Sequence, residues 1–255
     1  MADGSPKSAL ITGGGKRIGA AIATALARAG YAVVLHAHRS RDEAGQVAET
    51  IRNAGGHASI VLADLADPEA VRGLVPAAAA FGPLSLLVNN ASVFEDDEID
   101  NLERAGFDMT MAVNLTAPIF LAQAFARHVS NSAAGQDSSI VNIVDQRVLR
   151  PTPKFFSYAM SKSALHMATV TLAQALAPLR VNAVAPGPTL PSPRQTPAQF
   201  ASQAAAVPLG HGPSPQDIAE AVLYLAGARS VSGVTLAVDG GQHLAWRTAD
   251  SDVAE

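Results

Sequence analysis

Short apolar runs alternate with amphipathic stretches along nearly the whole chain. The runs at 8–12 (SALIT), 31–37 (YAVVLHA), 57–65 (HASIVLADL), 84–92 (LSLLVNNAS), 138–145 (SSIVNIVD), 179–187 (LRVNAVAPG) and 234–241 (VTLAVDGG) predict strands. Helical spacing between them predicts helices over 17–30, 41–56, 67–82, 104–129, 155–178 and 214–227. Glycine closes the first two, as a C-cap should, and Asp67 opens the third. Pro76 disturbs the third helix, and Pro118 should bend the fourth. Strands that are apolar throughout and alternate with helices imply a parallel sheet covered on both faces. The pattern lapses over 187–213, GPTLPSPRQTPAQFASQAAAVPLGHGP, which reads as a long loop of the kind that forms a lid or binds substrate.

The expected architecture is therefore α/β: a single-domain, Rossmann-type, doubly wound parallel sheet of seven strands, occupying residues 1–255. Residues 1–7 and 247–255 are expected to be frayed tails. There is no internal repeat and no domain linker.

Composition narrows the function. At 48% hydrophobic and 16% charged residues, the chain is globular rather than disordered. A net charge of −4 gives no reason to expect nucleic acid as a partner, and no dense basic run suggests a membrane surface. No cysteine is present, which excludes disulfides, zinc–thiolate sites and thiol catalysis. The first residues, MADGSPKSALITGGG, lack a signal-peptide pattern, and no uncharged apolar run is long enough to span a bilayer. The expectation is a soluble, cytoplasmic protein.

TGGGKRIG (12–19) lies between the first strand and the first helix, where backbone N–H groups and a helix N-terminus receive a pyrophosphate. Gly13, Arg17, Ile18 and Gly19 fall in this turn. Glycine clusters also serve tight βα turns with no ligand, so the signal rests on its place in the βαβ unit. The second strand ends in His38, Arg39 and Ser40, where an NAD enzyme usually places an acid. A guanidinium and a hydroxyl suit a 2′-phosphate, which points to NADP(H). His36 and His38 alternate on this strand and read as surface or partly buried residues; no third ligand suggests a metal. Asp64 with Leu65, closing the third strand, could meet an adenine or could cap a helix. Asn90, Ala91 and Ser92 end the fourth strand at the sheet edge where ligands bind in such folds.

Tyr158 and Lys162 are four apart and share a helix face, where an ammonium would lower the phenol's pKa and make it a better proton shuttle. Asp145 precedes Tyr158 by thirteen residues. Tyr-x-x-x-Lys occurs by chance in many helices, and gains force here by following the ordered βα elements.

With these features in place the chain resembles the short-chain dehydrogenase/reductase family. The resemblance rests on the TG…G turn, NNAS, VN (113–114), YAMSK, VNAVAPG and VDGG, which together span residues 8 to about 245. It implies Asn114, Tyr158 and Lys162 as the active set, with Tyr158, Lys162, Pro186 and Gly187 also at the cofactor and Lys162 holding the nicotinamide ribose. It also implies a homotetramer built on the helices over 104–129 and 155–178.

Two departures from the family pattern are informative: Asp145 replaces the usual serine, and Arg17 replaces the second glycine of the turn. Both resemble the pteridine reductase branch, including its dihydromonapterin/dihydrofolate reductase relatives, as do HRS (38–40) and NNASVF (89–94). That resemblance implies Phe94 stacking on a pterin, Asp145 and Tyr158 at the substrate, and Ser92 and Arg17 near the cofactor phosphates. A carboxylate beside Tyr158 should oppose tyrosinate formation, so the two would act as a coupled donor pair.

The expected activity is NADPH-dependent reduction of C=N bonds in pterins, dihydropterins or dihydrofolate. A carbonyl reductase of 3-oxoacyl thioesters or sugars is the alternative, in which Asp145 is a strand-end turn residue and Phe94 is loop packing. A non-catalytic NADP sensor is a third reading, and the intact Asn114, Tyr158 and Lys162 count against it. Asn114 could also serve a helix bend, and Trp246 either a pocket wall or a subunit interface.

Overall fold

The computed structural model describes residues 7–130 and 137–246. The expected tails therefore lie, apart from Lys7, outside the described residues. The strands β1 (Ser8–Ile11), β2 (Ala32–Ala37), β3 (Ala58–Leu62), β4 (Leu84–Asn89), β5 (Ser139–Ile143), β6 (Arg180–Pro186) and β7 (Thr235–Val238) form one sheet in the order β3-β2-β1-β4-β5-β6-β7. Every pairing is parallel. The winding reverses between β1 and β4, which opens a crevice at their C-terminal ends.

The sheet is covered by α1 (Arg17–Arg28), α2 (Arg41–Asn53), α3 (Pro68–Ala79), α4 (Arg104–Met111), α5 (Ala117–Ser130), α6 (Phe156–Ala175) and α8 (Pro215–Gly227), with α7 (Pro197–Ala205) lying in the connection after β6. The period-two alternation of a strand divides the core. Ala9 and Ile11 of β1 face α1 and α8, whereas Leu10 packs with Leu74 of α3 and Phe125 of α5.

Each strand is shorter than its apolar run. The residues left over, among them Asn90–Ser92 and Val144–Asp145, leave the ladder at the C-terminal edge and form the site. The expected helix 104–129 is two helices separated by a π-helical turn, Ala112–Thr116, across which the Ala117 N–H donates to the Ala112 carbonyl. Pro118 explains the break: it has no N–H to give the carbonyl of Asn114, four residues earlier. Taken as one piece, Arg104–Ser130 is long and apolar enough to cross a membrane. Here Leu121, Ala122, Phe125 and Val129 are buried in the core against α3 and the sheet.

Residues 187–213 are not a structureless loop. α7 lies within them, opened by a capping box in which Thr196 Oγ1 accepts from the Gln199 N–H (3.2 Å) and Gln199 Oε1 from the Thr196 N–H (2.8 Å). None of its residues is buried, so it lacks the apolar stripe by which a helix is recognised in sequence.

Candidate active site

The turn after β1 is built from close backbone approaches. Gly13 adopts φ +63, and a Cβ there would stand 3.0 Å from the Ala91 Cα. A Cβ on Gly19 would meet the Gly13 carbonyl oxygen at 2.1 Å, so only glycine lets α1 start this near the strand. Arg17, expected where the family has glycine, does occupy the left-handed region, at φ +54. Lys16, the N-cap of α1, provides no side-chain cap. The N–H groups of Arg17, Ile18 and Gly19 meet no protein acceptor among the described residues. Uncapped N–H groups at a helix N-terminus beside the crevice fit a pyrophosphate.

Arg39 is exposed and pairs with nothing among the described residues, and the Ser40 hydroxyl leaves the N-terminus of α2 uncapped. Both are thus available to a 2′-phosphate. His36 is buried and fully used: Nδ1 accepts from the Gly13 N–H (3.2 Å) and Nε2–H donates to the Ala63 carbonyl (3.1 Å). Burial holds its pKa below the ordinary histidine value, in keeping with a neutral ring that braces the turn. His38 stands 3.7 Å from Asp64. Asp64 is not a helix cap. Its Oδ1 accepts from the Ala66 N–H (2.9 Å), and Asp67 caps α3 instead. Leu65 is buried with Val71 and Leu74.

The segment after β4 is tied to the glycine turn and to α6. The Asn90 amide donates to the carbonyls of Thr12 (2.9 Å) and Gly13 (3.2 Å), and the Asn90 and Ala91 N–H groups donate to Thr12 Oγ1. Asn114 is buried at the π-helical turn with its side chain fully occupied. Its Oδ1 accepts from the Val93 N–H (2.8 Å) and the Ser92 hydroxyl (3.2 Å), while Nδ2 donates to the Val93 carbonyl and to Ser161 Oγ. Its amide therefore fastens the 92–93 segment to α6, and the Ser92 hydroxyl is engaged with it rather than with the glycine turn. Gly187 lets β6 pass Asp239, whose Cα would lie 2.6 Å from an added Cβ; its neighbour Pro186 is paired with Val238 in the sheet.

Asp145, Tyr158 and Lys162 come together. The Tyr158 hydroxyl donates to Asp145 Oδ2 (3.0 Å), and Lys162 Nζ donates to the Ile143 carbonyl (2.7 Å) from a position 5.7 Å from the Tyr158 ring centroid. Burial and the Asp145 carboxylate raise the phenol's pKa well above its usual value, as the sequence led us to expect of a neighbouring acid. The Arg147 guanidinium opposes that rise. Lys162 itself is brought down to about 8 by burial, with Asp145 acting in the opposite direction. Asp145 also serves as a turn residue, since Oδ1 accepts from the Arg147 N–H (2.9 Å) at the start of a short 3₁₀ turn, Gln146–Val148.

Phe94 is at the same place. Its ring stacks on Phe155 (centroids 4.5 Å) and meets Tyr158 edge-on (4.6 Å). Four participants were not foreseen. Arg147 pairs with Asp145 and lies over both phenylalanines. Arg194, in the segment after β6, lies over the same rings and donates to the Phe94 carbonyl (2.8 Å). Phe155 holds φ +56 just before α6, a conformation costing a non-glycine residue about 1–2 kcal/mol. Asp97 receives the Ser157 N–H (3.0 Å) and its hydroxyl, capping α6 from sixty residues away. Arg17 turns to the Pro191 (3.0 Å) and Leu190 (3.4 Å) carbonyls, so it holds the segment after β6 against the turn. Trp246 is exposed.

An uncapped N–H cradle, an Arg39 with no partner among the described residues and a tyrosine–carboxylate pair on one parallel-sheet edge define a dinucleotide-dependent oxidoreductase. A family model described as enoyl-(acyl carrier protein) reductase matches residues 14–243, and the chain belongs to the short-chain dehydrogenase/reductase family. Among solved structures it is similar to FolM alternative dihydrofolate reductase 1 from Brucella suis in complex with NADP, with 48% identity, a TM-score of 0.91, and coverage of 96% of this chain and 98% of that one. Pteridine reductase 1 of Leishmania tarentolae is 33% identical over 278 residues, covering 92% of this chain and 96% of the relative. L-xylulose reductase of Mesocricetus auratus is 35% identical over 243 residues, covering 92% and 96%. The protein is an NADP-dependent oxidoreductase.

Proposed function

We propose that this protein reduces the C=N bond of a pterin or dihydropterin, a class that includes dihydrofolate. The observation that carries this reading is the hydrogen bond from the Tyr158 hydroxyl to Asp145 Oδ2 (3.0 Å), with a carboxylate where carbonyl-reducing members of the family present a hydroxyl. When bound, NADPH would supply the hydride for the ring carbon. Tyr158, which keeps its proton firmly, delivers it to the ring nitrogen. Asp145 accepts from the N–H edge of the pterin and aligns the phenol. Lys162, anchored on the Ile143 carbonyl, would hold the nicotinamide ribose; Asn114 holds the 92–93 segment in register with α6. Phe94 is the aromatic wall for the bicyclic ring.

The similarity to a dihydrofolate reductase and a pteridine reductase supports this substrate class. The comparable similarity to L-xylulose reductase favours a second reading, carbonyl reduction, against which Asp145 weighs. In the same proposal the protein works in the cytoplasm as a homotetramer. Phe120 on α5 and Met160 and Met167 on α6 are exposed apolar residues that a second copy would cover.

The test is NADPH oxidation by the purified protein with 7,8-dihydrobiopterin, 7,8-dihydrofolate and a 3-oxoacyl thioester in turn, with Asp145→Ser alongside. Turnover of dihydropterins that Asp145→Ser abolishes is the expected result. Turnover of the thioester alone would overturn the assignment.

A further inference from the structure

We propose that Arg194 is a specificity-determining residue whose guanidinium, at the rim of the Phe94 wall, receives a carboxylate on the tail of the substrate. It thereby selects a pterin that carries a glutamate, such as dihydrofolate, over pterins with an uncharged side chain. The inference rests on the reading of the protein as a dihydropterin reductase with Phe94 against the ring.

Two guanidinium groups lie over the same pair of aromatic rings, and they differ in what they have left to bind. Arg147 Cζ is 5.2 Å from the Phe155 centroid, and Arg194 Cζ is 5.3 Å from that of Phe94. The Arg147 side chain is only 18% exposed and is taken by Asp145, with Nη1 3.2 Å from each carboxylate oxygen. The Arg194 side chain is 38% exposed. Its one side-chain hydrogen bond among the described residues runs from Nη2 to the Phe94 carbonyl (2.8 Å), which leaves most of its N–H donors unused. Its one acidic neighbour among the described residues is Glu95, 3.6 Å away and with a side chain 68% exposed. An ion pair so long and so well hydrated contributes little and exchanges readily for another carboxylate.

The position of Arg194 is nevertheless fixed. Ser192 Oγ accepts from the Arg194 N–H (3.3 Å), and the Gln195 N–H closes the turn onto the Ser192 carbonyl (3.0 Å). From the other side Arg17 donates to the carbonyls of Pro191 and Leu190. A charge that is ordered before its ligand arrives gives up little freedom on binding it. Phe94 joins this charge to the chemistry, since its ring meets Tyr158 edge-on (4.6 Å) and carries Arg194 over it. A bicyclic ring held against Phe94 thus has, on the same wall, an uncommitted cation for the substituent that leaves the pocket.

The loop after Phe94 sets the kind of anion. Glu95, Asp96 and Glu98 are exposed, and Asp97 is engaged with Ser157. A doubly charged phosphate would be repelled by these acids more strongly than a carboxylate. A single planar carboxylate matches the guanidinium fork and takes the place that Glu95 fills loosely.

The experiment measures steady-state kcat/KM for 7,8-dihydrofolate, for its glutamate dimethyl ester and for 7,8-dihydrobiopterin, with melting temperature as a check on folding. The ester keeps the rings of dihydrofolate without the charge, and dihydrobiopterin has no carboxylate. Wild type is compared with Arg194→Gln, Arg194→Lys and Glu95→Gln. Arg194→Gln should lower the preference for dihydrofolate over dihydrobiopterin about tenfold, through the KM for dihydrofolate. Arg194→Lys, which keeps the charge without the fork, should fall between. Glu95→Gln removes the competing acid and should lower the KM for dihydrofolate about twofold to fivefold, a change of opposite sign. The ester should gain nothing from Arg194, so its ratio to dihydrobiopterin should stay the same in Arg194→Gln. If Arg194→Gln lowers kcat/KM for all three substrates equally, Arg194 only holds the Phe94 carbonyl, and the proposal is overturned. Equal losses for dihydrofolate and its ester would assign Arg194 to the tail's aromatic ring and overturn it as well. Wild type that reduces dihydrobiopterin and leaves dihydrofolate untouched would reject this inference while the dihydropterin reading stands. If no dihydropterin is reduced, that reading fails and this inference with it.

Discussion

The proposed cofactor end of the site and the proposed proton-transfer end are made of different material. At the turn after β1 the chain presents backbone: uncapped N–H groups from Arg17 to Gly19, and glycines that let Gly13, Ala91 and α1 come close. At the other end it presents side chains gathered from separate segments: Phe94 after β4, Asp145 and Arg147 after β5, Tyr158 and Lys162 on α6, and Arg194 after β6. A backbone site is a local property of one turn. A side-chain site exists only once distant segments have packed, so each member can be removed singly with a separable consequence.

Tyr158→Phe should break that separation most sharply if the two ends are in fact coupled. If Tyr158 delivers the proton as proposed, loss of its hydroxyl should lower kcat for dihydropterin reduction by ~10²–10⁴. NADPH affinity, measured by fluorescence quenching, should change far less. A parallel collapse of cofactor binding would show that the two ends are one unit.

Lys162 allows a comparison in stability. Its pKa is about 8 in the folded protein against an ordinary 10.5, so between those values the unfolded chain binds more protons. Stability should therefore rise as pH increases from about 8 towards 10.5, by up to about 3 kcal/mol for this group. Chemical denaturation over that range should show the upward slope in the wild type and a flatter one in Lys162→Met. Identical slopes would mean that the buried ammonium is tolerated without cost.

At the cofactor end, Arg39 should carry the discrimination between NADPH and NADH. One charge-assisted hydrogen bond is worth about 1.5–3 kcal/mol, so Arg39→Ala should lower the kcat/KM preference for NADPH by about tenfold to a hundredfold. An unchanged ratio would assign the 2′-phosphate to another group, with Ser40 next to it in the chain and Arg17 in the glycine turn the candidates.

The same division explains what the sequence discloses. The seven strands and their alternation with helices, the glycine turn and the Arg39–Ser40 pair are legible because periodicity and turn chemistry are local. Asp145, Tyr158 and Lys162 are legible because helical spacing and the family pattern mark them. The break in the helix over 104–129 is readable from Pro118, but its centre lies at Asn114, because the group that loses its partner is the carbonyl four residues back. α7 is hidden because its Ala, Gln and Ser residues bury nothing. Arg147, Arg194 and Phe155 gain their meaning from rings and charges elsewhere in the chain, and no spacing rule connects them.

Asp97 is the extreme case of that non-local kind, and its removal should have the smallest effect. The helix bearing Tyr158 and Lys162 starts after Phe155, whose left-handed backbone and apolar side chain offer no cap. Asp97 supplies one from the loop that also carries Phe94, and the Phe156 N–H donates to the Asp97 carbonyl (2.9 Å). Losing an N-cap side chain costs about 1 kcal/mol, which in a domain of this size lowers the melting temperature by about 2–4 °C. Asp97→Ala should show that shift, and Asp97→Asn, which keeps an acceptor oxygen, a smaller one. Because the cap joins the Phe94 loop to α6, kcat for dihydropterin should fall a few-fold while NADPH affinity holds. A change confined to melting temperature would make Asp97 a cap and nothing more. A loss of NADPH affinity would instead show that the first turn of α6 is shared between the two ends of the site.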